Sequence, residues 1–160
     1  MSTAIGTDAL TFTLPDTDGA EHGVGGEESS AVTLVVFICN HCSYALAWHD
    51  RIVAVAEDYP DVKVLAVSSN DAERYPRDSF EAMRARVSAD GGWPMAYLRD
   101  ESQEVARAYD AKTTPDVFVF DSAGTLRYRG APDSDHMDDG QNAVWLRDAL
   151  RRALTEQEPA

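Results

Sequence analysis

The chain's two cysteines, Cys39 and Cys42, are separated only by Asn40 and His41. A pair at this spacing closes a disulfide within itself and opens again, the chemistry of thiol–disulfide exchange. The reacting species is a thiolate. A free cysteine ionises at about 8.5, whereas thiols of Cys-X-X-Cys pairs at a helix start ionise at roughly 3.5–7.5. His41 adds a positive charge or a hydrogen bond next to the sulfurs, so His41 and Asn40 are the candidate residues for tuning the thiolate. In the expected mechanism, Cys39 attacks a substrate disulfide and forms a mixed disulfide. Cys42 then displaces the reduced substrate and leaves a Cys39–Cys42 bond. Two other uses of the pair compete. The cysteines could be inert core residues, or half of a closed zinc site, which would need His22, His49 or His136 to converge on them. No metal and no cofactor are expected.

Elements that would position the pair flank it on both sides. Val32 to Ile38 is apolar and β-branched apart from Thr33, the pattern of a central parallel strand covered on both faces. After Cys42, Leu46, Ile52, Val53, Val55 and Ala56 alternate with charged residues as in an amphipathic helix ending near Tyr59-Pro60. The dithiol therefore stands where a strand hands over to a helix. Upstream, Thr11 to Pro15 reads as a short strand entering a turn at Asp16 to Gly19, with Gly23 to Ser30 as loop. Downstream the expected elements are a strand at Val62–Val67, loop at Ser68–Asp71 and a helix at Ser79–Val87. A short extended segment at Trp93–Leu98 follows, then a helix at Ser102–Tyr109 with Ser102 as N-cap. Asp116–Phe120 and Leu126–Tyr128 form a hairpin, and Ala143–Leu154 is the closing helix. This order predicts an α/β fold with a mixed sheet and helices on both faces, in one domain spanning 1–160 with its core at about 9–155.

Composition narrows the partners. With 14 Lys+Arg against 28 Asp+Glu, the formal charge is −14, which repels phosphate backbones and anionic membranes and makes nucleic acid and membrane surfaces unexpected. The longest apolar run, Leu34–Cys39, is too short to span a bilayer, and no basic-then-apolar leader opens the chain, so a cytoplasmic location is expected. In a reducing compartment a purely structural disulfide would be unusual.

The segments FTLPDTDG, VVFICNHC, VLAVSSNDAERYPRDSFEAM, DESQEVARAYDAKTTPDVFVFD and LRYRG, read in this order, resemble bacterial thioredoxin-like proteins. These are related to the alkyl hydroperoxide reductase/thiol-specific antioxidant superfamily. The resemblance runs from about Thr11 to Arg147. It implies a thioredoxin fold with an N-terminal strand or hairpin extension, antioxidant or oxidoreductase activity, and protein or small-molecule disulfides and thiols as substrates. A reducing partner, either like thioredoxin reductase or a low-molecular-weight thiol, is also implied. It further implies that Thr114-Pro115 is the substrate-side loop facing the dithiol, with Pro115 cis. The chain departs from the pattern in three places. Ser43 stands where relatives commonly have proline, Thr33 where thioredoxins bury a carboxylate, and Val36 where a typical peroxiredoxin has a threonine. The last disfavours direct peroxide reduction, leaving thiol peroxidase and a redox-inactive binding module as alternatives to exchange.

Other conspicuous residues read as structural: Trp48 and His49 as packing and surface residues, Trp93-Pro94 as core or loop, Arg129-Gly130 as scaffold, and Asp133 to Gly140 as a solvated acidic loop.

Overall fold

The computed structural model describes residues 6, 11–24, 32–40, 42–111 and 114–155. Five strands form the main sheet: β3 (Thr33–Phe37), β4 (Lys63–Ser68), β5 (Ala96–Arg99), β6 (Asp116–Phe120) and β7 (Leu126–Gly130). Their order is β5-β4-β3-β6-β7. β3 is central, parallel to β4 and antiparallel to β6, which confirms the mixed sheet. Before it, β1 (Phe12–Pro15) and β2 (Glu21–Val24) form a separate antiparallel hairpin. Gly23 and Val24 are thus strand, not loop. Phe12 pairs with Val24, and a side chain at Gly23 would collide with the Phe12 carbonyl, so the missing Cβ is what lets the two strands close.

Side-chain alternation in β3 explains why its sequence is continuously apolar. Leu34, Val36 and Ile38 enter one core with helices α1 (Ser43–Asp58), α2 (Phe80–Ala89) and α4 (Val144–Thr155). Val35 and Phe37 enter another with helix α3 (Glu104–Tyr109) and the hairpin. The period of two distributes one strand between two cores, each excluding water from one face.

Helix starts follow local chemistry. Ser79 caps α2, its Oγ accepting from Ala82 N–H at 3.1 Å. Ser102 is not the N-cap of α3. Gln103, with φ 65°, is the residue before the helix, and the Asp100 carboxylate takes the N–H groups of Val105 and Ala106 at 3.3 and 2.9 Å. An acidic side chain arriving from the end of β5 thus shares the helix start with Ser102, whose Oγ accepts the Glu104 N–H at 3.3 Å. Among the described residues, no helix is long and apolar enough to cross a membrane.

Candidate active site

Cys39 stands two residues past the end of β3 and Cys42 is the N-cap of α1, so the dithiol occupies the strand-to-helix junction. The two residues form a disulfide with Cα atoms 5.4 Å apart, inside the usual span of such bonds. The cap makes no side-chain hydrogen bond to the helix and the first turn holds no acidic residue. The partial positive charge of the helix start is therefore left for a sulfur anion. In this closed form Cys39 is buried and Cys42 is half-buried. His41 lies outside the described residues.

Asn40 is placed, and its polar groups turn toward the segment between β4 and β5. Its N–H donates to Asp78 Oδ1 at 2.7 Å and its Nδ2 to the Arg77 carbonyl at 2.7 Å. Its Oδ1 accepts from Tyr97 O–H at 2.8 Å and Arg86 Nη1 at 3.1 Å. Burial pushes the Tyr97 hydroxyl up to about 12, so it remains a protonated donor at neutral pH. Arg86 lies over the Trp93 ring at 4.9 Å, and Trp93 stacks on Tyr97 at 4.6 Å and against His49 at 4.7 Å. Burial, with Arg86 nearby, lowers the His49 pKa, which favours the neutral ring. Trp93 and His49 are thus packing residues behind Asn40, and Asn40 fastens the loop that follows Cys39.

Cys42 meets this segment through Asn70, whose Nδ2 lies 3.8 Å from Cys42 Sγ and 3.1 Å from Asp78 Oδ2. Asp78 is fully buried in the 3-10 turn Pro76–Asp78.

On the opposite side is the Thr114-Pro115 loop, whose peptide bond is cis. β6 pairs Asp116 with Phe37. Thr114 lines a cleft of about 470 Å³ together with Ile38, Asn70, Gln103, Arg107 and Asp110. Two parallel strands end there, the place where open α/β sheets hold their ligands.

The acidic loop departs from its solvated reading. Asp133 is buried and accepts from Trp48 Nε1 at 2.8 Å, Arg51 Nη1 at 2.9 and 3.0 Å, and Ala143 N–H at 2.8 Å. It binds the loop and the start of α4 to the side of α1. Burial alone would raise the Asp133 carboxyl; the Trp48, Arg51, Asp135 and Ala143 donors outweigh it and hold the pKa below the usual carboxylate value. The remainder of the loop is more open, with Met137 exposed and His136 half-buried against the Tyr44 and Trp48 rings. Arg129 is scaffold as expected: it bonds Asp116 at 3.1 Å and the Asp110 carbonyl, and covers the Phe118 ring.

Sequence reasoning missed Asn70, Asp78, Tyr97 and Arg86 at the dithiol, and Arg51 with Asp133 behind it. Asn70 carries a signal: it follows a buried strand in a chain whose neighbouring strand ends in the dithiol, so its loop falls at the same sheet end. Asp78 carries none, because only the fold buries it.

The AhpC/TSA family model matches residues 5–129. A crystal structure of an uncharacterized conserved protein from Geobacillus kaustophilus is 38% identical, with a TM-score of 0.88 over 96% of this chain and 83% of that one. A hypothetical protein from Sinorhizobium meliloti 1021 is 34% identical, with a TM-score of 0.89 over 98% of this chain and 87% of that one. A thioredoxin family protein from Chlorobium tepidum TLS, titled a thiol:disulfide interchange protein, shares the fold at 15% identity. Its TM-score is 0.71 over 94% of this chain and 98% of that one. No curated protein matches. A dithiol at a strand-to-helix junction, on a thioredoxin fold with an N-terminal hairpin, makes this chain a thioredoxin-like member of the AhpC/TSA family.

Proposed function

We propose that the protein is a thiol:disulfide oxidoreductase that exchanges its Cys39–Cys42 pair with protein or small-molecule disulfides and thiols. The observation that carries this reading is the disulfide itself, closed at the open N-terminus of α1. In the reduced form the Cys39 thiolate attacks a substrate disulfide. One substrate sulfur leaves as a thiolate and the other bonds to Cys39. The Cys42 thiolate then attacks Cys39 Sγ, expels the second substrate sulfur and restores the intramolecular bond. Thr114 presents backbone along which an extended substrate can pair beside the sulfurs, and Asn40 holds the intervening loop in place. Reducing equivalents come from a reductase-like partner or a low-molecular-weight thiol.

Insulin reduction in the presence of dithiothreitol tests the reading. The wild type is expected to accelerate precipitation, and Cys39→Ser to return it to the dithiothreitol background. Full activity in Cys39→Ser refutes the assignment. A substrate-trapping experiment assigns the sulfurs: Cys42→Ser is expected to accumulate a mixed disulfide through Cys39, and accumulation in Cys39→Ser instead reverses their roles.

The match to the AhpC/TSA model motivates a second reading, thiol-dependent peroxide reduction. Val36 places no hydroxyl three residues before Cys39, which weighs against it. Peroxide consumption no faster than the thiol background eliminates it.

A further inference from the structure

β4 lies beside β3 in parallel, so the residues that follow β4 stand next to those that follow β3. This brings the Asn70 amide to Cys42 Sγ at 3.8 Å, a long contact suited to a sulfur acceptor with its larger radius. The orientation of the amide follows from its other partner. Asp78 is fully buried, and its Oδ1 is taken by the Asn40 N–H. Its Oδ2 accepts from Asn70 Nδ2 at 3.1 Å, and the opposite flip would set a carbonyl oxygen against a carboxylate oxygen. With one amide hydrogen on Asp78, the second remains for Cys42 Sγ. Asp78 thereby ties the loop carrying the dithiol to the amide that addresses its second sulfur.

We propose that Asn70 is a catalytic residue of the exchange reaction that donates a hydrogen bond to Cys42 Sγ when this sulfur carries the charge of a thiolate, with Asp78 as the residue that positions it. The proposal rests on the oxidoreductase reading. When an external thiolate attacks Cys39 Sγ, a new disulfide forms to Cys39, the Cys39–Cys42 bond breaks, and its electron pair stays on Cys42 Sγ under the Asn70 amide. In reverse, the Cys42 thiolate attacks Cys39 Sγ and the external sulfur leaves with the electron pair. The external thiol or disulfide is the sole co-reactant. β3 carries Thr33 where a buried carboxylate would shuttle a proton. Asn70 stabilises the anion without accepting a proton, so the proton of Cys42 passes to solvent.

This mechanism leaves a signature in the pH dependence that a merely structural role does not. A hydrogen bond to a thiolate raises the ionised fraction and at the same time lowers its nucleophilicity, with a Brønsted coefficient of about 0.4–0.5. Removing a donor responsible for a tenfold change in ionisation therefore slows attack about threefold below the midpoint and speeds it about threefold above. The experiment follows the reaction of Cys42 with 5,5′-dithiobis(2-nitrobenzoate) against pH in the full chain carrying Cys39→Ser. Adding Asn70→Ala is expected to move the midpoint upward and make the two profiles cross. Ser79→Ala, which loosens the segment carrying Asp78 by removing the α2 cap, is expected to leave the midpoint in place. An unmoved midpoint in Asn70→Ala, parallel profiles, or the same crossing in Ser79→Ala overturns the proposal. If Asn70→Ala does not fold, the wild type carries the test. In the reduced protein the Asn70 side-chain N–H resonance is expected to titrate with Cys42, and a resonance insensitive to that ionisation overturns the proposal. Failure of the oxidoreductase reading shows separately, as wild-type protein without insulin reductase activity.

Discussion

The two faces of the sheet are held by different forces, and they meet at the dithiol. On the α3 face, Tyr109 is ringed by Phe12, Phe37, Phe118 and Phe120 at 5.3–6.0 Å, an apolar cluster whose cohesion comes from area and edge-to-face contact. Near Cys39 that face ends in a cleft with Gln103, Arg107 and Asp110 at its wall. On the α1–α2–α4 face, buried polar side chains fasten the backbone: Asn40 to Asp78, Tyr97 and Arg86, and Asp133 to Trp48, Arg51 and Ala143. Apolar packing tolerates small shifts of its members, whereas a buried carboxylate or amide is satisfied only in one geometry. The first face can therefore leave room for a substrate while the second keeps Asn40, next to Cys39, in place.

If directional polar contacts are what hold the second face, Asp133 is where removal should cost most. Asp133→Ala leaves Arg51 buried without its carboxylate and Trp48 without its acceptor, an expected loss of about 3–5 kcal/mol in urea or thermal unfolding. The sign of the pH effect is fixed as well. The Asp133 pKa is lower in the folded than in the unfolded chain, so its contribution is complete at neutral pH and declines as the pH falls through the folded value. The gap between wild type and Asp133→Ala should therefore narrow toward strong acid. A gap of equal size from neutral pH to pH ~3 would mean that the charged form is not what anchors the loop.

The contrast between the faces also explains what could be read in advance. Periodicity located the strands of the main sheet and the long helices because Leu34 to Phe37 and Ile52 to Ala56 are placed by burial, which sequence pattern records directly. The Cys39–Cys42 pair was legible because it holds the chain's two cysteines, and the cis Thr114-Pro115 bond because the family resemblance implied it. The polar fasteners were not. Asp78 and Asp133 sit among many acidic residues in a chain of charge −14, and nothing local separates them from those that face water. Their partners lie across long stretches of chain, from Asn40 to Asp78 and from Arg51 to Asp133. Burial of a charge is decided by tertiary structure, and the acidic loop was accordingly misread as solvated.

A smaller effect is expected at Tyr97. Tyr97→Phe keeps the stacking on Trp93 and removes one donor from Asn40 Oδ1, which retains Arg86. A net loss of about 1 kcal/mol in stability is expected. Loosening should concentrate on the loop after Cys39, so amide hydrogen exchange at Asn40 is expected to rise more than in β6. Uniform acceleration across both cores would show that the hydroxyl supports the fold generally and does not serve that loop.

The smallest effect on stability, and the sharpest test of the open face, belongs to Arg107. Its side chain is exposed, donates to the Ser102 carbonyl at 2.8 Å and lines the cleft. Arg107→Ala should therefore change unfolding free energy by no more than about 0.5 kcal/mol. Function should respond differently, because a cation on the wall of this cleft in a strongly acidic protein offsets its repulsion of anionic substrates. At partly screened surface distances one such charge contributes about 1 kcal/mol, equivalent to roughly a fivefold change in affinity. With glutathione disulfide, which carries carboxylates, KM is expected to rise by about this factor in Arg107→Ala while kcat holds. With cystamine, which is cationic, KM should stay level or fall. Equal changes for both substrates would show that Arg107 shapes the cleft without reading charge, and a large loss of stability would erase the distinction between the two faces.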